Sequence, residues 1–153
     1  MSTEGIKVLA ENKKARYLFQ VTDSVEVGIE LKGTEVKSMR TRKFSFTDAY
    51  ARIKDGELWL VGLHITPYSH GNIHNHEPDR RRRLLAHKQE IKRLKRKTDE
   101  KGLTLVPLRF YLKRGLIKLE LGICKGKKTF DKREDIKKRD LNRIQSREIK
   151  QHY

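Results

Sequence analysis

Apolar and polar residues alternate along much of this chain at the period of a β-strand, and two tight turns set the phase of that alternation. Asp55-Gly56 is a two-residue hairpin signal, because the favoured turn needs a positive φ at both central positions. Closed there, the hairpin sets Ile53 against Leu58 and Ala51 against Leu60 on one face. Arg52 against Trp59 and Tyr50 against Val61 occupy the other. Both faces carry apolar residues, as in strands of a small barrel. A second hairpin is predicted at Arg114-Gly115. It pairs Leu112 with Ile117, Phe110 with Leu119, Leu108 with Leu121 and Val106 with Ile123, and turns Tyr111 with Lys118 and Arg109 with Glu120 outward. A slip of one residue would send every inward side chain to the wrong face.

The remaining pattern is less regular. Residues 1–15 are polar. Arg16–Thr22 and Val25–Leu31 read as two strands joined by a turn at Asp23-Ser24. Thr34–Arg42 suits a short helix, with Thr34 as N-cap and Val36 and Met39 one turn apart. A polar loop over 66–78 leads into a predicted main helix, on which Leu84, His87, Ile91 and Leu94 share one narrow stripe. Leu85 lies about 100° from that stripe, and Lys101-Gly102 ends the helix. After Gly126 no strand pattern continues. Residues 132–151 have weak helical periodicity, with Arg139, Arg143, Arg147 and Lys150 along one side and Ile136 and Ile144 along another. A helix of this length and composition is marginal alone in water. The prediction is therefore a mainly β protein with helices: a closed, OB-like barrel of five to six strands over residues 1–125 with one main inserted helix. Residues 126–153 form a basic tail, disordered when free and helical once bound to RNA.

Charge gives that architecture a direction. The chain of 153 residues has a formal net charge of +17. Residues 79–97 hold 10 Lys and Arg against 2 acids, and residues 125–153 hold 11 against 5, whereas the first 78 residues hold 11 against 10. Solubility alone does not require such clustering. Two concentrated basic segments beside a near-neutral body are the electrostatic footprint of a polyanion partner. Arg80, Arg82, Arg83, Lys125, Lys127 and Lys128 are the candidate phosphate contacts. The 35% hydrophobic content builds a core from part of the chain only.

Other chemistry is poorly served. Cys124 is the only cysteine, which excludes an internal disulfide framework and a multi-Cys zinc site and suits a reducing compartment. There is no signal-peptide core and no apolar run of membrane-spanning length. A soluble, cytoplasmic monomer without membrane association is expected. His64, His70, His74 and His76 are close in sequence but lie in or beside a loop with no nearby cysteine, so no metal is expected. Asp48, Asp55 and Glu57 flank a tight turn with no reason to converge on Mg²⁺, so neither a nuclease nor any other enzyme is indicated, and no cofactor. Trp59 and Arg52 read as a packing pair, and Tyr17, Phe19 and Tyr50 as core or barrel-rim residues. Composition alone leaves open a general RNA-binding barrel protein.

Specific motifs narrow this. Asn12-Lys13-Lys14-Ala15, the run Gly28-Ile29-Glu30-Leu31 with Gly33-Thr34-Glu35-Val36-Lys37-Ser38 and Arg40, Asp55-Gly56-Glu57, and Ile65-Thr66-Pro67-Tyr68 follow in order. Pro78, Arg80 and Arg82-Arg83-Leu84-Leu85 come next, then Gly122-Ile123-Cys124-Lys125-Gly126-Lys127-Lys128 and Asp131-Lys132-Arg133. Together they resemble the bacterial SsrA-binding protein (SmpB) family across nearly the whole chain. The resemblance implies a non-catalytic OB-like barrel that binds the tRNA-like domain of transfer-messenger RNA (tmRNA) and brings it to stalled ribosomes for trans-translation. It implies RNA contacts at Asn12, Glu26, Leu85 and Lys118; the hairpin register independently turns Lys118 outward beside Tyr111, a basic–aromatic pair suited to phosphate contact and base stacking. The resemblance also implies a tail that enters the decoding centre and vacant mRNA channel of the small subunit. Asp131, Lys132 and Arg133 carry that tail function, followed by Lys137, Arg139, Arg143 and Arg147. Phe130 departs from the pattern, standing where many relatives carry His; a ring can still stack on a base there, but a titratable hydrogen-bonding group is lost.

Overall fold

The computed structural model describes residues 5–68 and 75–126. In chain order the elements are β1 (Ile6–Glu11), α1 (Lys13–Leu18), β2 (Phe19–Ile29), α2 (Gly33–Arg40), β3 (Phe44–Ser45), β4 (Tyr50–Lys54) and β5 (Glu57–Val61). They continue with β6 (His64–Ile65), β7 (Arg82–Leu85), α3 (Lys88–Lys101), β8 (Thr104–Lys113) and β9 (Leu116–Gly126). The main sheet runs β1-β8-β4-β5-β7-β2-β9, and β9 pairs again with β8. Six strands thus close into a ring, and β1 is added along the second half of β8. This is the expected OB-like barrel. Closure removes the edges of these six strands, leaving β1 as the edge of the main sheet, and β3 and β6 pair in a separate two-stranded sheet.

Both hairpins form where the turn signals lie. Asp55 and Gly56 have φ +54° and +75°, and Arg114 and Gly115 have +53° and +77°, the left-handed pair that a two-residue turn demands. In the first hairpin Ile53 faces Leu58 and Ala51 faces Leu60. In the second, Leu112–Ile117, Tyr111–Lys118, Phe110–Leu119 and Arg109–Glu120 pair as expected. Beyond Arg109 the register shifts: Pro107, not Leu108, meets Leu121, and Leu105, not Val106, meets Ile123. Pro107 has no N–H for the ladder, a situation that favours a bulge. The displaced Leu108 side chain covers Gly122, where an added Cβ would lie 2.8 Å from Leu108 Cδ1. Leu108 joins a small second core of Ala15, Val106 and Cys124.

Four expectations are corrected by strand pairing and by local caps. Asp23-Ser24 makes no turn: β2 runs unbroken along β9 and absorbs the irregularity as a bulge between Val21 and Asp23. The β-forming start of the first predicted strand is helical, because Asn12 caps it by accepting the Ala15 N–H at 3.1 Å. Residues 6–11 form a strand whose own bulge, between Val8 and Ala10, hides the alternation. Thr34 does not cap α2; Lys32 is the N-cap residue, and its N–H donates to Glu35 Oε1 at 2.8 Å while the Thr34 hydroxyl meets His76 Nδ1 at 2.9 Å.

The main helix begins later than its periodicity suggests. Arg82–Leu85 are taken by β7, which pairs with β5 through Leu58–Leu84 and Trp59–Arg83 and with β2 through Gly28–Leu85. Two adjacent strands, each with unpaired backbone groups, override a weak helical pattern. Leu84 is therefore core and Leu85 surface by strand alternation, and only Ile91 and Leu94 of the predicted stripe pack from α3 into the core. Gly102, at φ +63°, stops α3 as a left-handed cap. The main core is Leu58, Leu60, Leu63, Ile65, Leu84, Leu94, Phe110, Leu119, Leu121 and Ile123 with their neighbours. Among the described residues no helix is long and apolar enough to cross a membrane.

Candidate nucleic-acid interface

The basic run Arg80–Arg83 is the place to begin, because the fold splits it. Arg80 and Arg82 turn inward and Arg81 and Arg83 outward. Arg82 is completely buried; its Nε and Nη2 meet Glu35 Oε2 at 2.7 and 2.6 Å. Its remaining donors bind the carbonyls of Leu63, Arg80 and Pro78. Arg80 completes the network on Glu35 Oε1. Burial pushes the Glu35 carboxyl upward in pKa, but the hydrogen bonds from Arg80, the Lys32 N–H and Arg82 outweigh it and hold Glu35 below the ordinary value. Arg82 thus cannot serve as a phosphate contact: it clamps α2 to the segment entering β7. Arg83 is half exposed and pairs with Glu57 at 3.1 Å, and Arg81 lies over the Trp59 ring at 5.0 Å. Arg52 stands opposite Trp59 in the β4–β5 pair as expected, and Arg81 is the cation over its ring.

Asn12 is likewise committed inside. It is 3% exposed, caps α1 and donates from Nδ2 to the Pro107 carbonyl at 3.0 Å. Both ends of its amide are engaged inside the protein.

Three of the residues marked by resemblance do converge. Glu26 on β2, Leu85 at the end of β7 and Lys118 on β9 line one open cleft of about 660 Å³, with Val25, Gly28 and the start of α3. The β2–β9 register sets Gly28 opposite Lys118, and the β2–β7 register sets Gly28 opposite Leu85. Gly28 is the floor between them; a Cβ there would approach Leu85 Cβ to 3.3 Å. Leu85 remains 45% exposed, an apolar wall against which a base can pack. Lys118 makes no salt bridge within 4 Å among the described residues, although its charge adds to the lowering of the Glu26 pKa. It is therefore available to a phosphate. A second, smaller groove of about 260 Å³ continues past Leu85 towards Gly115 and Leu116. Leu116, 61% exposed at the hairpin tip, escaped the sequence reading although its place after Gly115 was a signal.

Glu26 is held by its neighbours. The Tyr111 hydroxyl donates to Oε2 at 2.5 Å, and Lys113 Nζ lies 3.3 Å from the same oxygen. The Tyr111 hydrogen bond leads in lowering the Glu26 pKa, against a smaller desolvation effect, with Lys113 adding to it. Burial first, and then Glu26, push the Tyr111 hydroxyl well above its usual value. Tyr111 is only 3% exposed, so it is not an open stacking platform.

Two of the four clustered histidines have protein partners. His76 is buried, bridging the Thr34 hydroxyl and the Ile65 carbonyl, and His64 pairs with Asp79 at 2.7 Å. Asp48 pairs with Lys14. Among the described residues no group of three potential ligands converges. The Cys124 thiol is buried and pushed up to about 11, so it is inert as a nucleophile. Lys125 is exposed at the end of β9. Lys127, Lys128, Phe130, Asp131, Lys132, Arg133, Lys137, Arg139, Arg143 and Arg147 lie outside the described residues, as does most of the loop carrying His70 and His74.

A closed barrel whose outer face carries an apolar wall, an available lysine and an oriented carboxylate belongs to the class of small barrels that take RNA on an outer surface. Comparison with known proteins gives the particular member of that class. A family model described as SmpB protein matches residues 9–151. The SsrA-binding protein of Treponema denticola is 55% identical over 150 residues, 98% of this chain and 97% of that protein. That of Desulfitobacterium hafniense is 50% identical over 153 residues, 100% of this chain and 96% of the other. A chain from a solved structure described as "tmRNA-SmpB: a journey to the center of the bacterial ribosome" matches with a TM-score of 0.68 and 46% identity, over 85% of this chain and 95% of its own. This chain belongs to the SmpB family.

Proposed function

We propose that the chain is a non-catalytic, cytoplasmic adaptor that binds the tRNA-like domain of tmRNA and delivers it to stalled ribosomes for trans-translation. The observation that carries this reading is the convergence of Glu26, Leu85 and Lys118 on one cleft from three separate strands. Lys118 neutralises a backbone phosphate, Leu85 packs against a base, and the Glu26 carboxylate accepts from a base or ribose donor. The relatives named as SsrA-binding proteins, and the matched structure that pairs tmRNA with SmpB in the ribosome, support the same partner. Residues 126–153 act separately, as a basic segment that becomes helical in the mRNA channel, with Asp131, Lys132 and Arg133 at its start.

Affinity capture of the full-length protein from a bacterial lysate, with sequencing of the bound RNA, tests this. Enrichment of tmRNA over bulk tRNA and ribosomal RNA is expected. Ribosomal RNA alone would point to a general ribosome-binding barrel. The division of labour has its own test. Asp131→Ala/Lys132→Ala/Arg133→Ala is expected to keep tmRNA affinity near normal while abolishing peptide tagging, and tagging at the unaltered level would refute the tail's role.

A further inference from the structure

Tyr111 sits on the outer face of β8, yet almost none of it reaches solvent. Its surroundings explain this. The Arg109 guanidinium lies over the ring, 4.9 Å from its centroid, and is tied there by Glu120 through an Nε–Oε2 contact of 2.7 Å. Lys118 stands directly across from Tyr111 on β9. The hydroxyl reaches over β9 to Glu26 on β2.

Without that reach Glu26 would be badly placed. In the β2–β9 register Glu26 is opposite Glu120, and like charges directly across an antiparallel pair repel. Each carboxylate has its own partners. Glu120 takes Arg109 and the Ser24 hydroxyl, and Glu26 takes Tyr111 and Lys113. On Glu26 the close contacts fall on Oε2; Oε1 has only Lys113 Nζ at 3.4 Å. A carboxylate has about four acceptor positions, so Oε1 keeps capacity for another donor.

We propose that Tyr111 is a positioning residue that acts on RNA only through Glu26: it fixes the carboxylate in the cleft so that a hydrogen-bond donor of the bound RNA, a base N–H or a ribose 2′-hydroxyl, finds an acceptor already oriented. This rests on the reading of the cleft as the tmRNA site. Because Arg109 lies over its ring, β1 and β9 flank it and Glu26 takes its hydroxyl, Tyr111 offers the RNA neither ring face nor hydroxyl. Its contribution is preorganisation, which lowers the cost of ordering Glu26 on binding.

A double-mutant cycle separates this from a direct contact and from a purely structural role. Affinities for the tRNA-like domain RNA are measured at one salt concentration for the unaltered protein, Tyr111→Phe, Glu26→Gln and the double variant. Tyr111→Phe is expected to weaken binding about tenfold, the scale of one hydrogen bond to a charged group. Glu26→Gln is expected to weaken it at least as much, and the double variant no further. Equal losses from Tyr111→Phe in both backgrounds would overturn the inference, because the ring would then act without Glu26. Glu26→Gln weakening binding while Tyr111→Phe does not would overturn it too, leaving the cleft reading intact. No loss from either Glu26→Gln or Lys118→Ala would instead remove the cleft reading itself. A carboxyl NMR titration of the free protein gives a readout that packing alone does not move. The Glu26 midpoint is expected to rise in Tyr111→Phe as the donor is lost, and an unchanged midpoint would contradict the proposal. Single 2′-deoxy substitutions in the RNA assign the donor: the Glu26 effect disappears at one ribose if the 2′-hydroxyl is bound and persists throughout if a base is.

Discussion

Two acidic centres in this barrel are built from the same parts and serve opposite ends. Glu35 lies wholly inside, between Arg80, Arg82 and a backbone N–H, and every acceptor position faces the protein. Glu26 lies at the surface between Tyr111 and Lys113, with capacity left over and with Lys118, which makes no salt bridge among the described residues, in the same cleft. The buried centre uses up cations that the sequence displays as part of a basic patch. The exposed one leaves a cation unused. Charge along a chain therefore measures attraction to a polyanion only after the internal pairs are subtracted, and in Arg80–Arg83 the Glu35 network removes half of the run.

The sharpest way to break the comparison is to disrupt the buried centre. Arg82→Met leaves Glu35 half-compensated and takes the guanidinium donors from the carbonyls of Leu63, Glu77, Pro78 and Arg80. A loss of about 3 kcal/mol or more in urea unfolding is expected, since removing one partner of a buried pair is costly. A loss under 1 kcal/mol, the range of an exposed ion pair, would show that the network adds little.

Acid titration probes the same centre without mutation. Glu35 has a folded-state pKa below its ordinary 4.5, so its stabilisation is present above that value and is lost as pH falls through the lower, folded-state value. Thermal stability should fall as pH drops below about 4.5, and Glu35→Gln should reduce that dependence while starting from a lower melting temperature.

Lys118→Ala addresses the exposed centre. Binding of the tRNA-like RNA is expected to weaken about tenfold, with the slope of log affinity against log salt falling by about 1, and the melting temperature should not change. Unchanged affinity would remove Lys118 from the interface. The smallest effect is expected at Arg81→Ala. This cation rests on Trp59 away from the cleft, so stability should change by about 1 kcal/mol or less while Trp59 fluorescence shifts.

What could be read from sequence follows the range of the forces involved. The hairpins at Asp55-Gly56 and Arg114-Gly115 are local: turn geometry and facing apolar pairs lie within a dozen residues of each other, and both register predictions hold up to the Pro107 bulge. β1, β7 and the unbroken β2 were not legible, because their partners are distant in sequence and bulges disrupt their alternation. Leu85 shows how a correct exposure can come from a mistaken element: it is exposed by alternation in a strand, not by lying off a helical stripe. Lys118 could be placed from the register alone. Tyr111 could not, since its burial depends on Arg109 above it and on Glu26 two strands away. Nor could Asn12 or Arg82 be recognised as internal, because their acceptors and donors are carbonyls and a carboxylate brought in by the fold.

The central claim is that RNA occupies the cleft between β2, β7 and β9. Titrating the isotope-labelled protein with the tRNA-like domain RNA and following backbone and methyl resonances locates it directly. The account predicts that the largest shifts cluster at Glu26, Gly28, Leu85, Leu116 and Lys118, while the buried Glu35–Arg82 centre stays still. Shifts concentrated instead around Tyr50, Arg52 and Trp59, with the cleft silent, would contradict it.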